Sequence, residues 1–97
     1  MDQPNLLIFG LGYSGAAIAQ TARAAGFSVR WTVRGIATRE NEIPFAAAGS
    51  AIAAATHILS SIPPDGPGDP VMARYERDLA AAPLLRWAGY LSSTVVY

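Results

Sequence analysis

Between residues 6 and 17 the chain passes from an apolar run into a glycine-rich segment and then into an alanine-rich one. Three glycines in this stretch, Gly10, Gly12 and Gly15, have the spacing G-x-G-x-x-G. With a strand before them and a helix after them, such glycines form a turn in which each has its own task. Gly10 permits the tight turn off the strand, Gly12 lets a ligand approach bare backbone, and Gly15 lets the helix pack against the sheet.

The start of the helix after this turn is predicted to bind an anion. Its first backbone N–H groups have no partner within the helix, and they carry a partial positive charge. Tyr13 and Ser14 lie between the last two glycines, next to these groups. We therefore predict that Gly10, Gly12, Tyr13, Ser14 and Gly15 bind the pyrophosphate of a dinucleotide.

The composition favours a buried parallel sheet and argues against several partners. Hydrophobic residues make up 52% of the sequence and charged residues 14%, which suits strands covered on both faces. The formal net charge is zero, so we expect neither nucleic acid nor an anionic membrane as a partner. No apolar run approaches the ~18 residues of a membrane span. The sequence has no cysteine and does not begin like a signal peptide, which predicts a cytoplasmic protein without thiolate metal sites.

Strand and helix patterns alternate along the whole chain. The predicted strands are residues 6–10, 27–33, 42–45, 56–62 and 87–91, and the predicted helices are 13–25, 46–55 and 70–82. The third strand is short, and Pro44 restricts it to a sheet edge. The alternation predicts an α/β fold with a doubly wound parallel sheet of about five strands, in a single domain over residues 1–97.

The helix predicted at 70–82 has clear start and core signals. Asp69 is its expected cap and Pro70 its first residue. Its apolar side is expected to include Val71 and Tyr75. We also predict that Met72 lies in the core.

Cofactor choice is expected to depend on the residue that follows the second strand. An NAD-selective site would place an acidic residue about 20 positions beyond the glycines, but none occurs between Asp2 and Glu40. Arg34 stands there instead and can pair with a 2′-phosphate, which favours NADP, with NAD as the alternative. The other interpretation of Arg34 is a solvated turn arginine.

Ligands of open α/β sheets bind at the carboxyl ends of the strands. Ser61, Ile62 and Pro63 lie at the carboxyl end of the fourth predicted strand, and we predict that they contact the cofactor. Ser60 and Ser61 have the alternative role of satisfying the end of a strand. His57 begins the same strand, at the opposite edge, and is therefore not expected to act in catalysis.

Three segments together resemble a known family. These segments are G-L-G-Y-S-G at residues 10–15, S-S-I-P-P at 60–64 and Y-L-S-S-T-V-V-Y at 90–97. They are similar to the extended and atypical short-chain dehydrogenases/reductases, the nucleoside-diphosphate-sugar epimerase/dehydratase group. The resemblance implies an NAD(P)-binding Rossmann fold in which Ser93 bonds the reacting hydroxyl or carbonyl and Thr94 adjoins it in the substrate pocket. The alternative is that both hydroxyls only terminate the last strand.

The sequence departs from this family at its catalytic pair. Short-chain dehydrogenases/reductases use Tyr-x-x-x-Lys, whose lysine lowers the pKa of the tyrosine, and this chain has no lysine. The resemblance therefore implies the amino-terminal part of a larger enzyme, without its substrate-binding portion. Its expected partners are a dinucleotide, a small-molecule substrate such as a nucleotide sugar, and a second copy in a homodimer.

Two other functions remain open. A dinucleotide-sensing protein without turnover would also lack the catalytic pair. A dehydrogenase of the 6-phosphogluconate or hydroxyisobutyrate type opens with a similar Gly-Leu-Gly-x-x-Gly, although its fold lacks the S-S-x-x-V-Y ending.

Overall fold

The computed structural model of the chain describes residues 3–62 and 68–90. Five strands are found in these ranges: β1 (Asn5–Phe9), β2 (Ser28–Val33), β3 (Glu42–Pro44), β4 (His57–Ser60) and β5 (Trp87–Tyr90). The α-helices of the same ranges are α1 (Gly12–Ala24), α2 (Gly49–Ala54) and α3 (Pro70–Ala80), and a 3-10 turn spans Phe45–Ala47. Each predicted strand is present, with ends that differ by a few residues, and so are the helices predicted over 13–25 and 70–82.

The five strands form one parallel sheet in the order β3-β2-β1-β4-β5. In this order β1 is central, and its Leu7 lies opposite Arg30 of β2 and Ile58 of β4. The three-residue β3 lies at the edge, where Pro44 is paired with Val33. The predicted α/β fold, with a parallel sheet and a short third strand, is confirmed.

The sheet separates two apolar clusters, because successive side chains of a strand point to opposite faces. On one face, Leu6 and Ile8 pack with Ala19 of α1. On the other, Leu7 and Phe9 pack with residues of α2 and α3. Helices therefore cover both faces of β1, as expected of a doubly wound sheet.

Helix α3 begins as predicted, but one of its residues was misplaced. The Asp69 carboxylate accepts hydrogen bonds from the backbone N–H groups of Val71, at 2.8 Å, and Met72, at 3.4 Å. Val71 and Tyr75 are buried, whereas Met72 is 46% exposed. The prediction that Met72 lies in the core was wrong, since Met72 follows Val71 by one residue and so lies about 100° around the helix from the buried side.

The segment predicted as one helix over 46–55 is divided in two. The Tyr75 hydroxyl donates to the Phe45 carbonyl and accepts from the Ala48 N–H, at 3.1 Å. Ala48 thus separates the 3-10 turn from α2, which begins at Gly49. None of the helices in residues 3–62 and 68–90 is long and apolar enough to cross a membrane.

Candidate functional site

The strand order reverses between β1 and β4. The chain leaves β1 through α1 toward β2, and it leaves β4 through α3 toward β5, on the other side of the sheet. The two connections therefore diverge at the carboxyl ends of β1 and β4 and leave a crevice between them, which is where open α/β sheets bind ligands. Gly10 follows β1 at this edge and Ser61 follows β4.

A side chain would be crowded at two of the glycines, one in the turn after β1 and one in the first part of α1. Gly10 has a φ of +77°, and a Cβ on it would lie 2.8 Å from Cγ1 of Ile62. At Gly15 a Cβ would lie 3.3 Å from the Gly10 carbonyl oxygen. Gly10 thus permits the turn beside the β4 end, and Gly15 permits the close approach of α1 to β1, as the spacing predicted.

The N-terminus of α1 is open and has no cap from a side chain. Leu11 precedes the helix without a capping hydrogen bond, and the first turn contains no acidic residue. Gly12, Tyr13 and Ser14 are all exposed there. Among the described residues, no atom other than those of chain neighbours and the helix backbone lies within 4 Å of the position that a Gly12 Cβ would take. Helix α3, in contrast, is capped by its own carboxylate, that of Asp69. In the part of the chain that the structure describes, the first N–H groups of α1 therefore have no side-chain cap and can bind an external anion.

The two serines at the end of β4 differ in their contacts. Ser60 is buried, and its hydroxyl accepts a hydrogen bond from the Ile62 N–H at 3.4 Å. The Ser61 hydroxyl donates to the Gly10 carbonyl and lies 3.3 Å from the Phe9 carbonyl oxygen. Ser60 therefore satisfies the end of its strand, while Ser61 and Ile62 lie directly against the glycine turn.

Arg34 follows β2 at the same edge of the sheet and is exposed. Glu42 lies at the amino end of β3, paired with Trp31 of β2. Its carboxylate accepts hydrogen bonds from the N–H groups of Thr38, at 3.0 Å, and Arg39, at 3.2 Å. The bond from Thr38 is the largest cause that lowers the pKa of Glu42. This carboxylate is thus held by its own connection and not directed at the edge where Arg34 lies.

The remaining candidates lie elsewhere. His57 begins β4 at the amino edge, as predicted, where its Nδ1 lies 2.8 Å from the Thr56 hydroxyl. Pro63, Ser93 and Thr94 lie outside the described residues. Within ranges 3–62 and 68–90, no group of three His, Cys, Asp or Glu side chains could hold a metal ion.

One residue at the site was missed by the sequence analysis. Thr32 of β2 is 4% exposed, and its hydroxyl accepts a hydrogen bond from the Gly10 N–H at 3.0 Å. In the sequence, Thr32 is only one of several polar residues that alternate with apolar ones along β2. The signal in the sequence is that Thr32 is the last polar residue of the strand that follows the glycine turn and its helix.

Comparisons with known proteins support the fold. No protein-family model and no curated protein matches the chain. A solved structure of a functionally unknown conserved protein from Silicibacter pomeroyi is similar over 97% of this chain, with 32% identity and a TM-score of 0.79. The chain spans 37% of the length of that protein.

Two further solved structures are similar at lower identity. A Rex-family repressor, RSP, matches 93% of this chain and 46% of its own, with 22% identity and a TM-score of 0.62. A phosphoglycerate dehydrogenase from Lactobacillus plantarum matches 94% of this chain and 38% of its own, with 18% identity and a TM-score of 0.59. The chain therefore has an α/β fold of the Rossmann type.

Proposed function

We propose that this chain binds a dinucleotide, with the pyrophosphate on the N-terminus of α1. The observation that carries the proposal is the exposed, uncapped first turn of α1, which follows the glycine turn at the point where the strand order reverses. Gly12 leaves open space above this turn, so an anion can reach the backbone N–H groups. A helix start without a cap or an acidic residue favours an anionic ligand both by hydrogen bonding and by its dipole.

Titration of the whole chain with NADPH tests this proposal. NADPH fluorescence and calorimetric heat would both report binding, and we expect saturation at one site per chain. Inorganic pyrophosphate should compete, because it offers the same group to the N–H groups of α1. A folded chain that shows no saturable heat or fluorescence change with either NADPH or NADH would overturn the proposal.

We further propose that Arg34 selects NADP over NAD. Its exposed guanidinium follows β2, where a dinucleotide fold holds the adenosine ribose, and it can pair with a 2′-phosphate. No acidic residue precedes Glu40 after Asp2 to hold an unphosphorylated ribose. The Glu42 carboxylate accepts hydrogen bonds from the N–H groups of Thr38 and Arg39. It is therefore already engaged and does not take the place of the acidic residue that holds the ribose of NAD.

Arg34→Ala is expected to weaken NADP binding by about tenfold or more, the effect of losing one charge-assisted hydrogen bond. NAD affinity should change little. Arg39→Ala is the matched control, because it removes the same charge from an exposed position in the same connection. Calorimetric titration of each variant with both cofactors measures the ratio of affinities. An equal loss for NADP and NAD in Arg34→Ala would assign Arg34 a structural role.

The wider activity that we propose is that of a short-chain dehydrogenase/reductase-like oxidoreductase or a sugar-nucleotide epimerase/dehydratase. In this proposal Ser93 hydrogen-bonds the substrate, Thr94 lies beside it, and Ser61, Ile62 and Pro63 border the cofactor. The S-S-x-x-V-Y ending supports it. A dinucleotide sensor without turnover is the second candidate, since such a protein would also lack the lysine that is absent from this chain.

We expect no hydride transfer by the 97-residue chain. Such a transfer at a carbon that bears oxygen needs an acid/base with a pKa near the working pH. This chain has no lysine, and its single histidine, His57, lies at the opposite edge from the glycine turn. The measurement is NADPH absorbance with aldehydes, ketones and nucleotide sugars, beside a no-protein control. Turnover above that control would show that the chain carries its own acid/base.

A further inference from the structure

Both backbone polar groups of Gly10 are held by hydroxyls from neighbouring strands. On one side, the Thr32 hydroxyl of β2 accepts from the Gly10 N–H at 3.0 Å. On the other, the Ser61 hydroxyl after β4 donates to the Gly10 carbonyl. Gly10 lies beyond the last paired residue of β1, so the sheet ladder does not supply these partners.

Both hydroxyls bond to the backbone of the turn. Thr32 is 4% exposed, so a ligand in the crevice does not reach it. The Ser61 hydroxyl lies 3.7 Å from the position of a Gly15 Cβ, between the turn and α1. Together they restrain Gly10 in its positive-φ conformation and hold the turn against the helix start. A turn fixed before binding loses less conformational entropy when the ligand arrives.

We propose that Thr32 and Ser61 are positioning residues that set the affinity of the glycine turn for a pyrophosphate group. This inference rests on the proposed dinucleotide site. Without the Thr32 hydroxyl, the Gly10 N–H loses its partner and the turn becomes free to rotate. The N–H groups at the start of α1 then no longer converge on one position, and the same ligand binds more weakly.

The opposite end of β1 supplies a matched control. The Thr56 hydroxyl accepts from the Asn5 N–H at 2.8 Å and donates to the Asn5 carbonyl at 3.1 Å. It is also a buried threonine, 9% exposed, that holds the backbone of β1, but it does so at the amino edge, away from the glycine turn. Thr56→Val therefore removes hydroxyl contacts with the backbone of β1, together with the contact with His57 Nδ1, without touching the site.

The experiment compares Thr32→Val and Thr56→Val in urea unfolding and in NADPH titration. Thr56→Val should lose at least as much of the free energy of unfolding as Thr32→Val, because the Thr56 hydroxyl has more hydrogen-bond partners. Only Thr32→Val should raise the Kd for NADPH, by about three- to tenfold, the effect of one hydrogen bond. Thr32→Ser, which keeps the hydroxyl, should restore the Kd. Amide hydrogen exchange at Gly10 should become faster in Thr32→Val and stay unchanged in Thr56→Val.

Ser61→Ala is the second variant, and it should also raise the Kd for NADPH with α1 intact. An unchanged Kd in both Thr32→Val and Ser61→Ala, beside a wild type that binds NADPH, would overturn the positioning role alone. An equal rise in the Kd of Thr56→Val would also overturn it, because the weaker binding would then follow from lost stability and not from the position of the contact. A wild type that binds neither NADPH nor inorganic pyrophosphate would overturn the proposed function itself.

Discussion

Gly12→Val is expected to weaken NADPH binding by at least about a hundredfold, or roughly 2.8 kcal/mol, in a chain that remains folded. Apart from chain neighbours and the helix backbone, no atom of residues 3–62 and 68–90 lies within 4 Å of the added Cβ, so the valine side chain would extend into the space proposed for the pyrophosphate. The φ of +55° at Gly12 adds a conformational cost of about 1–2 kcal/mol to a residue with a side chain. Calorimetric titration measures the affinity, and urea unfolding measures the stability.

Gly26→Val is the control for the backbone cost. Gly26 has a φ of +97° and nothing within 4 Å of its Cβ position, and it lies at the opposite edge of the sheet, between α1 and β2. This variant should lose stability to a comparable extent and bind NADPH like the wild type. If folded Gly12→Val bound NADPH as tightly as Gly26→Val, the pyrophosphate would not lie on this turn.

Phe9→Ala should lower the free energy of unfolding by about 3–5 kcal/mol. The Phe9 ring is fully buried and lies 5.8 Å from the Tyr75 ring and 6.0 Å from the Phe45 ring, between centroids. Its loss would leave a cavity between β1 and α3. Domains are stable by only about 5–15 kcal/mol, so this loss would remove a large part of the stability. Urea unfolding followed by circular dichroism measures the change.

The comparison variant is Met72→Ala, which removes another large apolar side chain. Met72 is 46% exposed on α3, and surface substitutions of this kind usually change stability by less than about 0.5 kcal/mol. Losses of similar size in Phe9→Ala and Met72→Ala would contradict the assignment of Phe9 to the centre of the core.

Local patterns in the sequence determined most of the secondary structure and one part of the site. The G-x-G-x-x-G spacing predicted the β1 to α1 turn, because the backbone conformation at Gly10 and the close approach at Gly15 both require glycine. Asp69 followed by Pro70 predicted the start of α3, since capping and a fixed φ act within a few residues. The sequence also identified Pro44 as an edge residue, as observed.

The tertiary structure decided which distant residues meet. Periodicity shows which face a side chain takes, but not which strand lies beside it, because strand pairing depends on the packing of the whole sheet. In the sequence, Thr32 is one polar residue of an alternating strand. Its hydroxyl accepts from the Gly10 N–H only because β2 lies beside β1. The contact of Ser61 with the Gly10 carbonyl likewise exists only because β4 lies on the other side of β1. The sequence by itself thus determined the turn that is proposed to receive the ligand, and only the tertiary structure determined the hydroxyls that hold it in place.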